Sequence, residues 1–278
     1  MNRFFKPMAN TKDQVVVLII GLFMFLAAVS MTGCDNGDSY EAKLEDARIA
    51  LDDGNYALAE SILATLPQTA MVLEYMSNAI AGGDLNLDTL NIISTLEDLD
   101  DEGNVGSIDM IGRIIGDENN QLTCEQITDK IQSATEAIEL FKAIADLNGG
   151  GVQDLSDNQK TQLGLLSITR VVLTLAHRIC IKTGGPVTMT EAWIQANRDA
   201  NFSPLITAEE STSEEVTADL ARINEDLVFI GYTIDVFADS NDMKDDFLEF
   251  KNEIDADLNG NVTYVELNAY IAQLGEDE

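Results

Sequence analysis

Apolar residues recur along this chain at steps of three and four, while the two-residue alternation of a half-buried strand is nearly absent. Ile127, Ile131, Ala134, Ile138, Phe141 and Ala145 form one such stripe over 124–147, and a glycine-rich break at 148–151 ends it. Ser156 then stands where an N-cap belongs, opening a more apolar helix to about residue 182 with Gly184 and Gly185 beyond its end. Two helices joined by so short a break pack as an antiparallel hairpin. Further helices are expected as a pair within 39–66, and at 70–81, 87–97, 107–115 and 188–200, the last carrying Trp193. From Ser213, the residues Val216, Leu220, Ile223, Leu227, Ile230, Ile234 and Phe237 alternate steps of four and three. That stripe either buries against neighbouring helices or forms the seam of a homodimer, the first being favoured. Phe247, Phe250 and Ile254 precede residues 255–266, and Leu267, Tyr270, Ile271 and Leu274 follow them, each set on one helical face. With only 4 prolines in 278 residues, the expectation is an all-α protein: a helical bundle or helical-repeat-like body ending in a helix-loop-helix.

The N-terminus reads as an address. Arg3, Lys6 and Lys12 precede the apolar run 15–31, which ends in Met31-Thr32-Gly33-Cys34. This resembles the signal of bacterial lipoproteins, which implies cleavage after residue 33, diacylation of Cys34 and attachment of the chain to a membrane. Met31 departs from the leucine usual at that position. An uncleaved transmembrane anchor is the alternative, since 17 apolar residues lie at the lower limit for spanning a bilayer. Either way the bulk of the chain is expected in the cell envelope, facing the periplasm or the exterior. The expected organisation is a signal at 1–33, a tether at 34–40, a helical domain at 41–200, a polar linker with Pro204 at 201–212, and a long helix with its helix-loop-helix at 213–278.

Within 41–66, Ala47, Gly54, Asn55, Tyr56 and Ala59 resemble the inner part of a tetratricopeptide repeat, which implies a scaffold for a protein partner. An ordinary αα-hairpin fits those residues equally well, and no second copy follows at a 34-residue period.

Export gives the remaining cysteines a meaning, because exported thiols meet an oxidising compartment. Cys124 and Cys180 lie equally far from residue 152, at the centre of the break, so antiparallel packing brings them level. A disulfide between them is expected, two buried thiols being the alternative.

Against 16 Lys and Arg stand 49 Asp and Glu, a formal charge of −33. A field of that sign repels phosphate backbones and attracts cations, so nucleic-acid binding is disfavoured. His177 is the only histidine and lies in an apolar helix, where packing is its expected role. Histidine-rich zinc sites are excluded and His-based triads are hard to build. No phosphate-cradling glycine loop, nucleophile elbow or HExxH supports an enzyme.

The most specific chemistry is in Asp255-Ala-Asp-Leu-Asn-Gly-Asn-Val-Thr-Tyr-Val-Glu266. Its residues resemble the calcium loop of the EF-hand family. The resemblance implies side-chain oxygen ligands from Asp255, Asp257 and Asn259, a backbone carbonyl from Asn261, a water-mediated contact at Thr263 and a bidentate carboxylate from Glu266. Gly260 falls at the sharp turn, where a residue without Cβ takes a positive φ at no steric cost. Val262 falls at the apolar position through which such loops pair. Residues 98–109 are a degraded relative with Asp109 in place of the final glutamate, whose shorter side chain reaches an ion poorly. The C-terminal loop then stands as a single hand, its Val262 without the usual mate. The expected function is that of a membrane-anchored exported lipoprotein binding Ca2+ through one EF-hand. The alternative is a tetratricopeptide-like scaffold in which calcium is only structural.

Overall fold

Thr123 and Ser156 start the two longest helices by the same device. Each hydroxyl accepts the backbone N–H three residues on, from Gln126 and Gln159, and each glutamine carboxamide accepts the N–H of its cap. The computed structural model describes residues 39–87, 121–188, 191–237 and 242–273. These fold as α1 (Tyr40–Asp52), α2 (Tyr56–Leu63), α3 (Ala70–Asp84), α4 (Cys124–Leu147), α5 (Asp157–Thr183), α6 (Glu191–Asn197), α7 (Glu214–Ile234), α8 (Asp242–Ile254) and α9 (Tyr264–Gln273). The protein is all-α, and among the described residues no strand forms beyond an isolated antiparallel bridge between Leu122 and Val187. The signal region with Cys34, the loop 98–109, the helix expected at 107–115 and all but the first residue of the one expected at 87–97 lie outside the described residues.

The core is built around α5. From Thr161 to Cys180 every residue but His177 is buried, which is what a helix apolar on all sides requires. Its length and hydropathy would suffice to cross a membrane, yet 89% of its most apolar window is buried inside the fold. α4 and α7 cover it, and α3 packs on α4. Two arginines on this apolar helix are compensated: Arg170 pairs with Asp226 and Glu225, and Arg178 pairs with Asp219 and Glu215. Gly184, with φ +69, ends the helix in the left-handed conformation that glycine adopts freely. There Cys180 and Cys124 are joined by a disulfide across 5.6 Å between Cα atoms, beside the Leu122–Val187 bridge. The open end of the hairpin is thus tied both covalently and by backbone hydrogen bonds.

The hairpin expected within 41–66 is α1 and α2. Ala47, Ala50 and Ala59 are buried, and small side chains there let the helices approach. Tyr56 lies across Gly82 of α3, where an added Cβ would come within 2.2 Å of its ring.

Residues 201–212, expected as a polar linker between domains, do not separate two cores. Phe202, Leu205 and Ile206 are buried in the same cluster as residues of α5, α7, α8 and α9. Three apolar side chains in a mostly polar stretch give no helical period, so their burial left no pattern to read. The helix expected at 188–200 begins at Glu191 and passes through a π turn at Arg198–Phe202, which stacks Phe202 on Trp193 at 6.2 Å. α7 stops at Ile234, before Phe237. Its Val216, Ile223, Leu227, Ile230 and Ile234 are buried within the chain, which covers the face that a dimer seam would use.

Candidate metal centre

The helix-loop-helix forms because Phe247, Phe250 and Ile254 on α8 and Leu267, Tyr270 and Ile271 on α9 are all buried, leaving the polar residues between them to make a loop. Gly260 has φ +75 at its turn. Its N–H donates to Asp255 Oδ2 at 2.9 Å, folding the loop back on its first residue. Asp257 Oδ1 accepts the N–H of Asn259, and Asn259 Oδ1 accepts that of Asn261, two short turns of the kind these side chains favour. Leu258 has φ +56, strained for a residue with a Cβ.

The fold brings Asp255, Asp257 and Glu266 together, with one carboxylate oxygen from each lying within 4.8 Å of the others. Asp255 is buried, Asp257 exposed and Glu266 half-buried. Three like charges at that spacing repel unless a cation lies among them. Two oxygens of this cluster lack a partner. Asp255 Oδ1 and Glu266 Oε1 are buried and accept no hydrogen bond, while the second oxygen of each carboxylate is engaged. An unpartnered buried carboxylate oxygen is costly unless something positive meets it. The residues present therefore fit a hard cation, since every available donor is oxygen.

Asn259 and Asn261 complete the polar side of the loop. The Asn259 carboxamide donates to Asp257 Oδ2 at 2.6 Å, and Asn261 is exposed. Thr263 does more than was expected of it. Its N–H and hydroxyl both donate to Glu266 Oε2, at 2.8 and 2.9 Å, which orients the glutamate at the start of α9.

Two residues that the sequence did not single out hold this unit against the body. Asn224 on α7 accepts the Val262 N–H at 2.6 Å and donates to the Val262 carbonyl at 3.1 Å. Asn268 on α9 accepts the Ile206 N–H at 2.9 Å and donates to its carbonyl at 2.8 Å. A lone asparagine on a helix is an ordinary surface residue in any sequence pattern, so neither contact carried a local signal. His177 meets Thr128 Oγ1 at 3.2 Å, far from the loop in sequence, and burial lowers its pKa. No family model, curated protein or solved structure matches this chain.

Proposed function

We propose that this protein is an exported lipoprotein, anchored to the membrane through Cys34, that binds one Ca2+ in its C-terminal EF-hand. The observation that carries the calcium assignment is the pair of buried, unpartnered oxygens on Asp255 and Glu266, facing a loop whose other donors are also oxygens. Asp255, Asp257 and Glu266 would hold the ion, which would supply fixed positive charge and no reaction chemistry. Calcium suits an irregular set of loop oxygens better than magnesium, which demands tight octahedral geometry. Extracellular modules of this kind work at about 10⁻⁴ to 10⁻³ M, the regime expected for an exported protein.

Titration calorimetry tests the assignment. The wild type should bind one ion and Glu266→Ala none, and equal heats from both would dispose of it. Bound calcium should also raise the unfolding free energy by about 2.7 kcal/mol at a free concentration of 100 Kd. The lipid anchor is checked separately by fatty-acid labelling, which Cys34→Ser should eliminate.

A second reading, a helical scaffold in which calcium only stiffens the C-terminus, draws on the alanine-lined α1–α2 hairpin. Capture of partners from membranes with and without chelator separates the two, because a scaffold keeps its partners when calcium is removed.

A further inference from the structure

EF-hand loops work in pairs, bonded backbone to backbone at the position that Val262 holds here. Among the described residues there is no second loop, yet the Val262 N–H and carbonyl are both satisfied, by the two ends of one side chain, Asn224. We propose that Asn224 is a positioning residue for calcium binding: its carboxamide does for Val262 what the backbone of a partner loop does in a paired hand. The inference rests on the calcium reading above.

The geometry supports it at three levels. A carboxamide presents one acceptor and one donor side by side, the same complement that an opposing residue of an antiparallel pair offers. Val262 is buried and its two bonds to Asn224 are partly so, so without Asn224 its peptide groups would lose their partner in a largely dry place. It also lies between the two halves of the ligand set, with Asp255 and Asp257 before it and Glu266 after it. Fixing this one residue therefore fixes how far apart the halves stand.

Asn224 is in turn held firmly. The next residue, Glu225, bonds Lys142 of α4 and Arg170 of α5, and the one after it, Asp226, bonds Arg170. Three consecutive residues of α7 thus tie the loop, α4 and α5 to one helical turn. On the far side of the hand, Asn268 fixes α9 to Ile206 in the same manner. A hand clamped at two points outside its ligand set is preorganised for binding and has little freedom to open. It should act as a calcium clamp rather than a switch.

Calorimetric titration of Ca2+ into wild type, Asn224→Ala and Asn268→Ala, each verified as folded by circular dichroism, tests the inference. Loss of two hydrogen bonds to the loop should raise the Kd of Asn224→Ala about tenfold. Asn268→Ala should lower stability and leave the Kd unchanged. Equal affinities of wild type and Asn224→Ala overturn the inference while the calcium reading stands, as does an equal loss in Asn268→Ala, which would mean general loosening. A wild type that binds no Ca2+ overturns both. Should Asn224→Ala fail to fold, amide exchange in the wild type decides. The Val262 N–H should be protected in chelator, and exchange at the rate of a free loop overturns the clamp.

Discussion

Arg170 and Asp226 meet in the core with the guanidinium wrapped on the carboxylate: Nε lies 3.0 Å from Oδ2, and Nη2 lies 2.8 Å from Oδ1. Both residues are almost wholly buried, and they join α5 to α7. Removing one partner should be far worse than removing both. Arg170→Met should cost about 3–5 kcal/mol in urea unfolding, because it strands a buried carboxyl. The double change Arg170→Met with Asp226→Leu should recover most of that loss.

The same pair sets a pH dependence. Burial pushes the Asp226 carboxyl up to about 7, against the pull of Arg170. Its folded pKa thus lies above its unfolded one, so the folded chain holds a proton that the unfolded chain has released between about pH 4 and 7. This contribution to stability is complete at low pH and is lost as pH rises through that window. Glu225 acts oppositely. Burial raises it, but hydrogen bonds from Lys142 and Arg170 outweigh burial and hold it below the usual range. Its stabilisation is present above its unfolded pKa and is lost on acidification. Unfolding measured from pH 3 to 8 should therefore show a smaller decline across pH 4 to 7 in Asp226→Asn than in wild type.

The Cys124–Cys180 disulfide closes a segment with a sequence separation of 56. Unreduced protein should give no free thiol from this pair. Replacing both cysteines by serine should cost about 2–4 kcal/mol of unfolding free energy.

At Gly164, α5 lies close against Thr233 of α7. A Cβ there would fall 2.2 Å from Thr233 Oγ1 and 2.7 Å from its Cβ. That hydroxyl also donates to the Lys160 carbonyl at 2.6 Å, so it has little room to turn away. Gly164→Ala should lose about 1–3 kcal/mol despite its better helix propensity. Gly185→Ala, where an added Cβ meets nothing, should stay within about 0.5 kcal/mol of wild type.

Leu258 holds a left-handed backbone at φ +56 while the residue is 65% exposed. Asparagine tolerates that conformation and sacrifices no buried surface here. Leu258→Asn should stabilise the protein by about 0.5–1 kcal/mol, read as a raised denaturation midpoint. Gly260→Ala, at φ +75, should do the reverse and weaken the calcium binding proposed above.

The sequence alone determined the all-α class, the α4–α5 hairpin with its Ser156 cap and Gly184 stop, and the C-terminal helix-loop-helix with its turn at Gly260. Each of these is written in residues close together in the chain, where helical periodicity, capping and turn chemistry act. The level placing of Cys124 and Cys180 was legible for a related reason, since a short break between two helices fixes their register. Tertiary structure alone decided that 201–212 belongs to the core, that the stripe on α7 is covered within the chain, and that Asn224 meets Val262 across 38 positions of sequence. Those outcomes depend on which helix face reaches which neighbour. Packing of the whole chain settles that, and a lone asparagine or phenylalanine bears no local mark of it.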